Sequence, residues 1–250
     1  MGLVRKIILV VCLIVFVGAA GVLIQYYYNG YKDMNSLKDL KQSEELEDLK
    51  TDKGIIIGKY VPIWQKNNDL IGWIRIDGTK IDFPVMQTPD DPEYYLRRDF
   101  NREHSTGGVP FMDVHSDIFM PTSNFMIYGH NMKNGSMFHD LIKYEDEEFY
   151  RDHKTINFDT IYKGGQGVYQ VVAAGYSQIY DKDSSKFKYY AYAGMTSERE
   201  YHEFVDGVKK LSCYDTGVVP EYGSQLITLS TCTNVSDEGR FFVVAVRTDK

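Results

Sequence analysis

Eighteen consecutive residues without a charge, Ile7 to Ile24, constrain this chain more than any other stretch of it. In hydrocarbon every backbone N–H and C=O must be satisfied within the segment, so such a run folds as a helix. At ~1.5 Å per residue it covers about 27 Å, close to the hydrocarbon thickness of a bilayer. Arg5 and Lys6 precede the run, and Gln25 with Tyr26, Tyr27 and Tyr28 follows it. A basic pair before the span and tyrosines after it predict a cytoplasmic N-terminus and an interfacial belt. Gly18-Ala-Ala-Gly21 offers the small residues of a signal-peptidase site. They lie inside the apolar run rather than after it, which favours an uncleaved, single-pass anchor. The remainder is then expected outside the cell, with the membrane as a standing partner.

Beyond the anchor the composition changes. Tyr31 to Lys53 is polar and helix-forming, with Leu37, Leu40, Leu46 and Leu49 at roughly helical spacing. A free stalk and a helix packed on the domain are both open. A further short helix is expected from Lys59 to Asp69, around Trp64. Neither a repeat nor a low-complexity block is visible. The expected organisation is residues 1–30 as cytoplasmic tip and anchor, 31–70 as helical lead-in, and 71–250 as one domain. The net charge of -7 and the lack of a basic patch with interleaved aromatics exclude nucleic acid as a partner.

Within the domain, short strand patterns dominate. Ile71–Ile76 and Lys80–Met86 flank an Asp77-Gly78 turn and read as a hairpin, with Pro84 marking an edge or a bulge. Tyr94–Phe100 is ambiguous, and Gly107–Asp113 reads as a turn into a strand. Phe125–Tyr128 is a short buried-type strand ending at Gly129. Residues 136–144 and 145–153 read as helical, 167–176 as a strand, and Thr196–Leu211 as an amphipathic helix capped by Ser197 or Thr196. Many short strands with few intervening helices favour a mixed β-barrel over a doubly wound parallel sheet.

The last two strand patterns carry the chemistry. In Leu226-Ile-Thr-Leu-Ser-Thr-Cys232, Ile227 and Leu229 fall on one face and Thr228, Ser230 and Cys232 on the other. A loop from Thr233 to Gly239 leads into Arg240-Phe-Phe-Val-Val-Ala-Val246. Paired as a hairpin, the two strands bring Cys232 and Arg240 together at one sheet edge. A thiol beside a guanidinium is a candidate nucleophile with an electrostatic partner. Such a thiol needs a proton donor and acceptor, and His130, just after Gly129, is the best placed of six histidines. His139, His153 and His202 lie in charged, helix-like surroundings. His104 and His115 with Asp113 match no zinc spacing. Gly164, Gly165 and Gly167 form no phosphate loop, so neither a metal nor a cofactor is expected.

Together these residues resemble a known family. Thr228-Leu-Ser-Thr-Cys232 followed by Arg240 is similar to the active-site strand pair of the sortases, and Tyr128-Gly-His-Asn131 to their histidine motif. The order His, Cys, Arg also agrees, and the helices before the domain and before the cysteine strand look most like class B. The resemblance covers roughly residues 55 to 250. It implies an eight-stranded sortase barrel with several helices, and a membrane-anchored cysteine transpeptidase. By that pattern Cys232 attacks the Thr carbonyl of a sorting-signal peptide on a secreted surface protein. The acyl-enzyme is released by an amine such as a peptidoglycan cross-bridge, His130 exchanges the proton, and Arg240 holds the substrate carbonyl or the oxyanion of the tetrahedral intermediate. A buried oxyanion donor contributes about 3 kcal/mol to such a reaction. Ser230 shares the Cys232 face and is expected to hydrogen-bond substrate backbone. The resemblance also places Leu96 and Tyr95, and the segment Tyr176 to Tyr192, near the substrate groove, and implies no metal. The competing expectation is an extracellular, membrane-tethered binding module with a Cys213–Cys232 disulfide.

Overall fold

The computed structural model describes residues 2–41, 46–233 and 238–248. The first element is one continuous helix, α1 (Leu3–Lys41), whose apolar half is exposed along Ile7 to Ile24. It is long and apolar enough to cross a membrane, by length and composition. Its polar half is no free stalk: Leu37 and Leu40 are buried in the core of the following domain. The helical pattern expected as far as Lys53 does not persist. Residues 42–45 lie outside the described residues, and Leu49 falls in β1 (Leu49–Thr51), which pairs with β2 (Gly54–Ile56) in a tight hairpin. The Thr51 hydroxyl donates to the Gly54 carbonyl at 2.8 Å and closes that turn. Cross-strand pairing overrides the leucine spacing here.

A short helix, α2 (Val61–Lys66), follows with Pro62 in its first turn, where no intrahelical N–H is needed. Eight strands then close a barrel in the order β10-β8-β7-β3-β4-β5-β6-β9. They are β3 (Leu70–Arg75), β4 (Asp82–Met86), β5 (Phe111–Met112), β6 (Asn124–Tyr128), β7 (Thr155–Thr160), β8 (Gln166–Gln178), β9 (Leu226–Cys232) and β10 (Gly239–Arg247). Two contacts, β4 with β5 and β6 with β9, are parallel, and the others are antiparallel, so the barrel is mixed. Pro84 is tolerated because β5 engages β4 only at Met86 and Phe111, leaving no ladder bond for the proline to break. The ambiguous segment after Pro92 resolves as a single 3₁₀ turn, Tyr94–Arg97, and Phe138–Glu145 is also 3₁₀, leading into α3 (Glu147–Asp152).

The core has two layers. Ile74, Phe83, Ile127, Phe158, Leu229, Phe241 and Val243 fill the barrel. A second cluster lies outside it, where Met126, Val172, Phe242 and Val244 meet Tyr201, Phe204, Val205 and Val208 of α4 (Glu198–Leu211). Those helical residues recur at i, i+3, i+4 and i+7, and each buried side chain of this size contributes about 1.5–3 kcal/mol. Ser197 caps α4 in a reciprocal capping box with Glu200. With α4 covering it, the Thr228–Ser230 face of β9 is buried like its opposite face, which strand alternation alone does not reveal.

Candidate active site

Strand register sets the first part of the site. Cys232 pairs with Arg240, Ser230 with Phe242 and Thr228 with Val244, so Cys232 and Arg240 share one face at the end of the hairpin. Residues 234–237 of the connecting loop lie outside the described residues. On its other side β9 pairs in parallel with β6, Tyr128 opposite Ser230. One more ladder bond, from the Gly129 N–H to the Ser230 carbonyl at 3.1 Å, carries the chain to His130. Position 129 must be glycine because a Cβ there would lie 2.7 Å from the Phe138 ring. The need is close approach rather than a sharp turn.

His130 is fixed at two points. Its carbonyl accepts the Phe138 N–H at 2.9 Å, and its Nε2 lies 2.9 Å from the Leu96 carbonyl. A carbonyl can only accept, so Nε2 carries a proton and Nδ1 is the nitrogen left for exchange. Burial is the main cause that pushes the His130 pKa below its ordinary value. Arg97 and Arg240 push the same way, and the Leu96 bond opposes them. The Arg240 Nη1 donates to the Gly239 carbonyl at 2.9 Å, bracing the guanidinium against its own strand.

His130, Cys232 and Arg240 line one cleft of about 320 Å³, together with Leu96, Ser230 and Tyr189. A larger groove of about 1220 Å³ runs along residues 185–195 and α4 and meets the cleft at Asp113, Tyr128 and Tyr190. It holds neither the thiol nor the imidazole, so volume alone misidentifies the site.

Of the expected groove residues, Ser230 and Leu96 lie on the cleft and Tyr95 does not. Tyr95 is fully buried, and its hydroxyl donates to Asp69 at 2.6 Å and accepts from Asn67 at 2.7 Å. Successive residues of a 3₁₀ turn point in different directions, so Leu96 and its neighbour cannot both face the cleft. Within Tyr176–Tyr192, Tyr189 reaches the cleft. Its buried hydroxyl lies 2.6 Å from Ser230 Oγ. Asp113 has no motif to mark it, yet it accepts the Tyr128 hydroxyl at 2.9 Å beside the cleft. Burial first, and then the Asp113 charge, raise that phenol's pKa.

The Cys213–Cys232 disulfide of the competing binding-module expectation is not formed, for all three cysteines are free. Cys213 follows α4, with its N–H bonded to the Ala174 carbonyl, whereas Cys232 pairs with Arg240 across β9 and β10. Burial, and then Glu145, raise the Cys213 thiol pKa, which disfavours it as a nucleophile.

Known proteins share this arrangement. A family model described as "Sortase domain" matches residues 74–248. The chain is 34% identical to sortase B of Listeria monocytogenes over 180 residues, 71% of this chain and 69% of that protein. It is 28% identical to sortase B of Staphylococcus aureus over 241 residues, 96% of this chain and 93% of that one. Among solved structures, sortase B of Bacillus anthracis superposes with a TM-score of 0.74 at 28% identity, covering 90% of this chain and 100% of that chain. A Staphylococcus aureus sortase B–substrate complex superposes with a TM-score of 0.67 at 26% identity, over 92% and 98% of the two chains.

Proposed function

The chain belongs to the sortase family of cysteine transpeptidases, most like its class B members, and from that premise we propose that Cys232, His130 and Arg240 carry its reaction. The Cys232 thiol passes its proton to His130 Nδ1, and the thiolate Sγ attacks the threonine carbonyl carbon of a sorting-signal peptide. The carbon's negative oxygen forms beside Arg240, whose guanidinium supplies charge-assisted hydrogen bonds that strengthen as the oxyanion develops. The C–N bond then breaks. His130 gives the proton at Nδ1 to the departing amine, and an acyl thioester remains on Cys232. An incoming amine, such as that of a peptidoglycan cross-bridge, attacks the thioester, and His130 takes its proton as Cys232 leaves as the thiolate. No atom outside the peptide, the amine and these side chains is needed. Ser230 and Leu96 flank the acyl donor, and Tyr189 holds Ser230.

The observation that carries this reading is that thiol, imidazole and guanidinium line one cleft. Family membership and the substrate complex of the Staphylococcus aureus relative add support. The binding-module reading loses its basis, since its disulfide is absent. We read residues 1–30 as a cytoplasmic tip and single membrane span, with the barrel outside the cell, on the strength of the apolar run and the basic pair before it.

The test is mass spectrometry of the purified protein with a panel of sorting-signal pentapeptides and candidate amines. An acyl adduct on Cys232, lost in Cys232→Ala and discharged by one amine class, is the expected outcome. Unchanged cleavage by Cys232→Ala would falsify the mechanism.

A further inference from the structure

The apolar run of α1 ends at Ile24, and the barrel begins to touch the helix almost at once. Tyr26, two residues on, packs against the main apolar core. Gly30 is buried against the Asn134 amide, with which any Cβ would overlap. The next turn carries Lys32, paired with Glu103 at 3.6 Å, and Asp33, which accepts the Ser105 hydroxyl at 2.6 Å. At ~1.5 Å per residue these contacts lie about 3, 9, 12 and 13 Å beyond Ile24. Headgroups occupy about 5–8 Å on each side of the ~30 Å hydrocarbon layer. A barrel docked this low on the helix has no stalk to lift it clear of them.

The loops that meet the helix there are the two that hold His130. Residues 132–135 follow it directly, and residues 97–106 follow Leu96, whose carbonyl its ring bonds. Their charge differs from that of the chain, which is -7 overall. Arg97, Arg98 and Lys133 are exposed and have no acidic partner at ion-pair distance among the described residues. Of the nearby acids, Asp99 is buried and Glu103 is already paired with Lys32. A basic rim a few ångströms above the headgroup layer, within reach of long arginine and lysine side chains, fits anionic phosphate groups, each nearby cation adding about 1 kcal/mol of attraction.

We propose that the rim formed by residues 97–106 and 132–135 is a membrane-docking surface for anionic phospholipid headgroups, seating the His130 side of the cleft on the bilayer. The inference rests on reading α1 as a membrane span. It makes the rim, and not only the anchor, part of how the enzyme meets its membrane.

The experiment uses the full chain carrying Cys12→Ser, Cys213→Ser and Cys232→Ala, reconstituted into phosphatidylcholine vesicles containing phosphatidylglycerol. A fluorophore is placed at Lys133→Cys, at Asn101→Cys or, as a control, at Lys59→Cys. Lys59 lines a cavity with Leu40 and Lys41 at the far end of the helix, about 25 Å beyond Ile24. Flotation of the vesicles tests the anchor by itself. Lipids spin-labelled at the headgroup are expected to quench most of the signal at positions 133 and 101 and little at 59. Adding Arg97→Glu and Arg98→Glu is expected to reduce the quenching at 133 without changing flotation. Equal quenching at 133, 101 and 59 in a chain that floats overturns the docking surface and leaves the anchor standing. A chain that does not float overturns the anchor and the docking surface with it.

Discussion

The β9–β10 hairpin and the loops around Leu96 and His130 line one cleft, but different physics holds each in place. On the hairpin, Cys232 and Arg240 are cross-strand partners, and their proximity follows from backbone register within a few residues of a loop. On the loop side, His130 depends on a carbonyl thirty-four residues earlier in the chain. The segment bearing that carbonyl is held by a polar cluster, with Asn67 and Tyr95 buried at its centre and Arg102 at its solvent edge. Asn67 Nδ2 donates to the Tyr95 hydroxyl and to the Phe100 carbonyl, each at 2.7 Å. The Tyr95 hydroxyl and the Arg102 guanidinium both bond Asp69, and Arg102 also bonds Asn67. Register tolerates side-chain change, because the ladder is made of backbone. A side-chain network does not, because removing one member strands the others without water to replace it. Mutations on the two sides of the cleft are therefore expected to fail in different ways.

Four measurements can break or sharpen that contrast. The largest effect belongs to the hairpin. Arg240→Ala is expected to lower kcat about 10²–10³-fold with little change in Tm, since an oxyanion donor acts chiefly in the transition state. Arg240→Lys should recover only part of that loss, because an ammonium lacks the guanidinium's fork of donors. Steady-state kinetics beside a thermal melt decides, and an equal loss of Tm would contradict the register argument.

Next comes the network. Asn67→Ala leaves the buried Tyr95 hydroxyl and the Phe100 carbonyl each short of a partner, and should cost about 1–3 kcal/mol in denaturant unfolding. It should also move the acid limb of the kcat/KM profile, because the Leu96 carbonyl that fixes His130 is no longer held. A loss of stability with an unmoved pH profile would separate the network from the histidine.

A smaller effect is expected at the base of the cleft. Tyr189→Phe removes the single bond to Ser230 Oγ and should destabilise the protein by about 1 kcal/mol. If Ser230 helps bind the acyl donor, KM should rise more than kcat falls.

The smallest is a pH dependence. His130 is held below its ordinary pKa, first by burial. Above the unfolded imidazole value of ~6.5 it is neutral in both states and contributes no slope. As pH falls from there toward the folded value, the unfolded state takes up its proton first, so stability falls with pH in that window. His130→Gln should flatten that part of a stability-against-pH curve, and a curve unchanged by the substitution would refute the assignment.

How much of this is legible in the sequence follows the same division. The span of α1, the capped helix α4 and the hairpin with Cys232 opposite Arg240 are all readable, because each depends on neighbours a few residues apart and on a period of 3.6 or 2. Pro84 and the glycine at position 129 are visible as constraints, yet their reasons come from β5 and from Phe138. Leu46 and Leu49 keep helical spacing without forming a helix, since the pairing of Leu49 with Ile56 outweighs it. Tyr95 and Leu96 are adjacent and equivalent by position, but only one of them reaches the cleft.

An apolar helix, a sheet-rich domain and the pair Cys232 and Arg240 are written into the chain locally, through contacts short in sequence. What those residues meet follows from the folded barrel. The parallel pairing of β6 with β9 brings residues about a hundred positions apart into register, and so brings His130 to the thiol. Packing decided that the Leu96 carbonyl accepts from one imidazole nitrogen and leaves the other free, and that Tyr189 holds Ser230. It also set α1 down on the barrel at Tyr26 and Gly30, where no local pattern marks a contact. The physical reason is loop-closure entropy: a contact between distant residues forms only when the whole barrel supports it, so no window of sequence carries its signal.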